Sequence, residues 1–142
     1  MLKAALGITA MLLLIFQTVH SQSHQLSDDE LNNSTFVKMA FADTARNCES
    51  MDEWFKKDVK KGTIFLFLQG GIVPAIYLSD KKFEDKYNVH FEDFGCSAPD
   101  YQCITRYNIH AFQYLTNLYG KKWMKEIRKD VIGFSTWQKH NE

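Results

Sequence analysis

The chain has 142 residues, and its 17 basic and 17 acidic side chains give a formal net charge of zero. A neutral chain lacks the basic excess that nucleic-acid-binding proteins carry, so we predict no nucleic-acid partner. The length suits one domain with a modest core, and the 14% of aromatic residues can fill much of that core.

The first 21 residues have the three-part pattern of a secretory signal peptide. Lys3 gives a short positive segment, residues 4–16 are apolar and uncharged, and Ser21 places a small residue at a possible cleavage point. The apolar run is shorter than the ~20 residues that span a bilayer. We expect a periplasmic or secreted protein with no transmembrane span after cleavage. Retention of residues 1–21 as an uncleaved anchor is the alternative.

Two capping boxes predict helix starts in the N-terminal half. The first, residues 27–30, predicts that residues 22–34 form a flexible leader with a short helix. The second, residues 50–53, predicts a helix that ends before Gly62, a residue suited to a left-handed stop. A weaker helical pattern over residues 35–47 lies between the two.

The middle of the chain carries the strand signals. Residues 63–68 form a continuous apolar, β-prone run, which predicts a strand buried on both faces. Gly70 and Gly71 interrupt the run. Residues 72–78 are apolar again but contain Pro74, which favours an edge strand or an extended connection. A two-residue hairpin and a simple loop to the next helix are both consistent with this pattern.

A helix over residues 79–87 is predicted to lead into a strand over residues 89–94. That strand alternates, with His90 and Glu92 on the face expected to be exposed. If residues 63–68 and 89–94 are parallel neighbours, the three elements form a strand-helix-strand unit.

The C-terminal third has a helical period. Helices are predicted over residues 104–119 and 121–131, with a frayed tail at 135–142. The second helix would bury Trp123 and expose a basic outer face, formed by Lys121, Lys122, Lys125, Arg128 and Lys129. The sequence therefore predicts a small single α+β or α/β domain over residues 35–134, with two to three strands and helices packed at both ends.

Three cysteines in an exported chain favour a disulfide. Cys96 and Cys103 are close in sequence, so the leading prediction is a local bridge that closes the loop between them. Cys48 is then the odd thiol, with buried packing as its expected role. Pairing of Cys48 with either of the others stays open.

The segment Phe83-Glu-Asp-Lys-Tyr87 resembles the motif that names the FEKKY-domain proteins, which are small exported bacterial proteins. Asp85 departs from that motif, which has lysine there. The phrases Gly70-Gly71-Ile72 and Asp93-Phe94-Gly95-Cys96 and the stretch 120–133 support the resemblance, which covers roughly residues 62–134. The resemblance implies localisation in the bacterial envelope and a shared fold. It assigns no catalytic residue to this chain.

Reactive residues gather between His90 and His110. One His/Cys set comprises His90, Cys96, Cys103 and His110. Its members are spaced more widely than the ligands of structural zinc motifs. Cys103 precedes a predicted helix start, where a thiol would become more acidic. We nevertheless predict no metal, no cofactor and no catalytic residue. A nearby acidic group is expected to be solvated and comprises Glu84, Asp85, Glu92, Asp93 and Asp100.

These observations favour an exported, non-catalytic binding or structural module with a possible envelope protein as partner. The alternative is a small metal- or thiol-dependent enzyme that uses His90, Cys96, Cys103 and His110. The candidate binding surface comprises Gly70, Gly71, His90, Glu92, Asp93, Asp100, Tyr101 and His110.

Overall fold

A computed structural model describes residues 25–41, 48–73 and 75–141 of the chain. The predicted signal peptide and residues 42–47 of the predicted second helix lie outside these ranges. The described residues form a small single domain of mixed helix and strand. In chain order its elements are α1 (Asp28–Asn32), α2 (Thr35–Phe41), α3 (Ser50–Lys61), β1 (Ile64–Leu68), α4 (Leu78–Tyr87), β2 (Val89–Asp93), α5 (Tyr101–Tyr119), a 3-10 turn (Lys122–Lys125) and α6 (Phe134–Asn141).

β1 and β2 pair in parallel, with α4 as the connection between them. The register runs from Ile64 opposite Val89 to Leu68 opposite Asp93. The predicted strand-helix-strand unit is therefore confirmed. All five residues of β1 are buried, as its continuous apolar run predicts.

α5 and the C-terminal segment close the edge of β1 that faces away from β2. The Asn108 side chain accepts a hydrogen bond from the Phe67 N–H (2.9 Å) and donates to the carbonyls of Phe67 (2.8 Å) and Ile132 (2.9 Å). Val131 forms an antiparallel bridge with Leu68. The buried Asn108 amide and residues 130–132 thus take the place of a neighbouring strand along this edge of β1.

The C-terminal residues differ from their prediction. A 3-10 turn stands where a helix over 121–131 was expected, and residues 134–141 form α6 instead of a frayed tail. The helix is interrupted because residues 130–132 bond to β1. α6 is ordered because Trp137 packs on Phe112, with ring centroids 5.3 Å apart. The predicted burial of Trp123 is confirmed.

The observed helix ends agree in part with the capping and stop signals predicted from the sequence. The α1 capping box is present, with Ser27 and Glu30 each bonding the other's backbone N–H. Gly62 ends α3 at a φ of 72°, as predicted. The second capping box is wrong, because Ser50 is already the first helical residue and the cap position belongs to Glu49. Residues 72–73 and 75–77, the described residues of this stretch that precede α4, form no strand and connect β1 to the helix, which begins at Leu78.

The disulfide joins Cys48 to Cys103, not Cys96 to Cys103 as predicted. Cys103 lies in the first turn of α5 and is fully buried, so its side chain faces the N-terminal side of α3. Cys96 stands in the loop after β2 as an exposed free thiol. The bridge therefore ties residues 55 positions apart, with a Cα–Cα distance of 4.8 Å.

None of the helices in the described part of the chain combines the length and the apolar composition that a membrane span requires.

Candidate functional site

The carboxyl ends of β1 and β2 open into a crevice of about 450 Å³. Parallel strands deliver the loops that follow them to one end of the sheet, which is where open α/β sheets place their ligands. Leu68 and Asp93, the last residues of the two strands, line the crevice. Ile76 and Tyr77, which precede α4, line it from the other side.

The two loops that leave the strands touch each other at Gly70 and Gly95. A Cβ atom on Gly70 would lie 2.7 Å from the Gly95 carbonyl oxygen, closer than any side chain tolerates. Gly95 itself has a φ of 57°, and its N–H donates to the Asp93 carboxylate (2.8 Å). Gly70 therefore has to be glycine because of the close approach. The left-handed backbone at Gly95 only favours glycine, since Asn88 adopts a similar φ of 52°.

Arg128 anchors the wall of the crevice. Its guanidinium bonds Asp130 on one side and Asp80 on the other, where the Arg128–Asp80 distance is 2.8 Å. It also donates to the Ala75 carbonyl (2.8 Å) and lies 4.8 Å from the Tyr77 ring centroid. These bonds raise the pKa of Arg128 further and lower that of Asp130, so both stay charged.

Two carboxyl groups, Glu84 of α4 and Glu92 of β2, line the floor of the crevice. Glu84 accepts a hydrogen bond from the Phe91 N–H (2.8 Å), yet burial raises its pKa. Burial and the neighbouring carboxylates of Glu84 and Asp93 together raise the pKa of Glu92 to about 7. The low solvation and like charge of this pair favour a proton or an incoming cation.

A second cavity of about 390 Å³ continues along the outer edge of β2. It shares Lys81, Glu84 and Glu92 with the crevice, so the two adjoin. His90 lines it from β2, and the segment around Leu26 lines it from the α1 side. We call the two cavities together the β2 groove.

No family model, curated protein or solved structure matches this chain. Function must therefore be inferred from the side chains that the fold brings together.

The predicted binding surface divides into separate places. Gly70 forms the loop contact at the strand ends, and the exposed Gly71 follows it. Glu92 and Asp93, the last two residues of β2, line the crevice. His90 is 9% exposed and lies beside Phe65, so the prediction that His90 and Glu92 form an exposed strand face is wrong. Both side chains line the β2 groove instead of open solvent.

Asp100, Tyr101 and His110 lie elsewhere, along α5. Asp100 caps α5 by accepting from the Gln102 N–H (2.7 Å). Tyr101 and His110 line a different cavity, of about 530 Å³, that also contains Asp52.

Asp52 is the partner that Arg106 and His110 share in this 530 Å³ cavity. Its carboxylate accepts two hydrogen bonds from Arg106 (2.6 and 2.7 Å) and lies 2.8 Å from His110 Nε2. These bonds hold the pKa of Asp52 well below its usual range. The cluster is therefore an ion-pair link between α3 and α5.

The His/Cys set considered as a metal or thiol centre does not converge. Cys103 is held in the disulfide, Cys96 is exposed, and His90 and His110 line different cavities. Within the described residues, Cys48, Asp100 and Cys103 are the group close enough to share an ion, and the disulfide uses both sulfurs. An enzyme built on His90, Cys96, Cys103 and His110 has no support in this arrangement.

Sequence reasoning missed the residues that shape the crevice. The sequence predicts Arg128 on a solvated helix face, whereas its side chain is only 9% exposed. It also predicts Glu84 and Glu92 to be solvated, whereas both are partly buried. The available signal was topological, because a helix that joins two parallel strands runs antiparallel to them, which brings Glu84, in the last turns of α4, beside the first half of β2.

Proposed function

We propose that this chain is an exported binding module that docks a partner protein through the stretch between β1 and α4. We call residues 70–78 the apolar loop; they end at Leu78, the first residue of α4, and residue 74 lies outside the described ranges. Four of its large apolar side chains are almost fully exposed, namely Ile72 (91%), Val73 (78%), Ile76 (86%) and Leu78 (95%). This exposure is the observation that carries the proposal, since such patches mark interaction sites.

The second half of the apolar loop, residues 75–77, is held in place by specific bonds. Arg128 bonds the Ala75 carbonyl and stacks on Tyr77, and the Tyr77 N–H donates to Asp80 (2.9 Å). A fixed loop loses less conformational freedom on binding than a mobile one. Burying each exposed side chain under a partner would stabilise the complex by about 1.5–3 kcal/mol.

Export is part of the proposal. It is supported by the apolar, lysine-led segment at the N-terminus and by the Cys48–Cys103 disulfide, which is typical of oxidising compartments. Kinship with the FEKKY-domain proteins stays a prediction from residues 62–134.

Site-specific photo-crosslinking tests the docking surface. A photoreactive phenylalanine analogue replaces Ile76 in one variant and Leu118, an equally apolar exposed residue of α5, in the control. In the cells that produce this chain, we expect one discrete protein adduct from position 76, none from position 118, and loss of the adduct when Ile72→Ser is added. Adducts of equal yield from both positions contradict the proposal. An adduct of twice the chain mass also contradicts it, because a second copy would then occupy the loop.

A further inference from the structure

β2 has an open edge. In the described part of the chain, β1 is the only strand that pairs with it, along one side. Alternate residues of a strand direct their backbone groups to opposite edges. The Phe91 N–H bonds Glu84 of α4, so the backbone groups of Phe91, with those of Val89 and Asp93, are directed away from β1. The equivalent edge of β1 is closed by Asn108 together with residues 130–132. The edge of β2 faces the β2 groove, where the side chain of Glu84 bonds the Phe91 N–H.

The β2 groove is lined by four of the five residues of β2, from His90 to Asp93. Its two cavities, of about 390 and 450 Å³, follow the edge from Leu26 at one end to Ile76 and Tyr77 at the other. A five-residue strand is roughly 17 Å long at ~3.3 Å per residue. The apolar loop thus borders one end of the groove, so a partner seated on the loop would reach the β2 edge.

The negative charge along the β2 groove favours an occupant with a basic side chain. Glu84, Glu92 and Asp93 face it with carboxyl groups, while Lys81 is paired with Asp85 of its own helix (2.8 Å). Arg128, the other cation, is committed to Asp80 and Asp130. An incoming lysine or arginine would meet two partly buried carboxyls that crowd each other.

We propose that β2 accepts an extended segment of the partner protein as a third strand. In this complex Glu84 exchanges its bond to the Phe91 N–H for a basic side chain of that segment, which lies between Glu84 and Glu92. This inference rests on the proposed binding function and specifies how the partner is recognised. In strand addition, main-chain hydrogen bonds supply affinity and alternate side chains supply specificity. The basic side chain would be the specificity element.

A random decapeptide display library is the probe. It is selected against the chain and, in parallel, against a Glu84→Gln/Glu92→Gln variant, in which the amide oxygen at position 84 can still accept the bond from the Phe91 N–H. Urea denaturation first establishes that the variant folds. Selected peptides are then titrated into isotope-labelled protein, and backbone amide shifts are recorded.

We expect selected peptides to alternate in polarity and to carry lysine or arginine at one fixed position. They should bind the variant about tenfold more weakly, and the largest amide shifts should fall in residues 89–93. Failure of the selection, equal affinity for the variant, or shifts confined to other elements would overturn the inference. Crosslinking through Ile76 would be unaffected by those outcomes, so loss of this inference is distinguishable from loss of the binding function.

Discussion

Removal of the Cys48–Cys103 bridge should cost this domain a large part of its stability. The bridge closes a loop of 55 residues, which corresponds to about 4 kcal/mol at 25 °C in the chain-entropy treatment of the unfolded state. Domains of this size have total stabilities of about 5–15 kcal/mol. A Cys48→Ala/Cys103→Ala variant is therefore expected to lose between about a quarter and four fifths of the stability of the domain at 25 °C.

Urea denaturation followed by tryptophan fluorescence measures this loss, because Trp123 and Trp137 are buried in the folded chain. The midpoint should fall sharply in the double variant, and the slope with urea should rise because the unlinked unfolded chain exposes more surface. Reduced wild-type protein should behave like the double variant. Cys96→Ser is the matched control and should leave the curve unchanged, since Cys96 is an exposed free thiol.

Thiol titration of the unfolded, unreduced protein supplies an independent check. One thiol is expected before reduction and all three afterwards, since the chain has three cysteines. A destabilised Cys96→Ser variant, together with an unchanged Cys48→Ala variant, would refute the pairing and restore the bridge between Cys96 and Cys103.

Three further substitutions test the fold and the crevice. Asn108→Leu should destabilise the domain by about 3 kcal/mol or more in urea denaturation, because it strands buried backbone groups of β1, whereas Asn117→Leu on the same helix should have little effect. Gly70→Ala should cost about 1–3 kcal/mol through the clash with the opposite loop, while Gly71→Ala, with its nearest atom at 3.9 Å, should be nearly neutral; equal effects would contradict the close approach. Because the pKa of Glu92 is about 7 when folded and 4.5 when unfolded, the folded state binds more protons between these values, so stability should fall as pH rises from about 4.5 to 7. Glu92→Gln should reduce this pH-dependent loss of unfolding free energy by about 1–2 kcal/mol, allowing for the partial exposure of Glu92. If the variant and the wild-type protein show the same dependence of stability on pH, the raised pKa of Glu92 is contradicted.

The parts of the fold that follow local rules were predictable. The apolar run of β1 and the alternation of β2 indicate both strands, and Gly62 indicates the end of α3. The predicted Cys96–Cys103 pairing was wrong, because proximity in sequence does not establish proximity in space. Cys103, Tyr107 and Ala111 are all buried at a spacing of four residues along α5. Extending that stripe one turn toward the N-terminus would have placed Cys103 in the core, away from Cys96.

The site was harder to predict because its members take their roles from tertiary contacts. Arg128 follows a basic stretch that is typical of a helix face, and only the bond between residues 130–132 and β1 turns it inward. The exposed apolar loop was indicated in part by Pro74, which argues against a central strand. Its exposure could not be predicted, because Ile72 and Ile76 have the composition of core residues.

The closure of β1 by later parts of the chain has a consequence for biogenesis. Ile64–Leu68 is apolar on both faces, and its outer edge is satisfied only by α5 and residues 130–132 among the described residues. On a chain that emerges N-terminus first, this run stays an unprotected template for intermolecular β-pairing until those segments follow. Folding of the domain must therefore wait for the last part of the sequence, and a truncation before residue 130 should aggregate instead of folding.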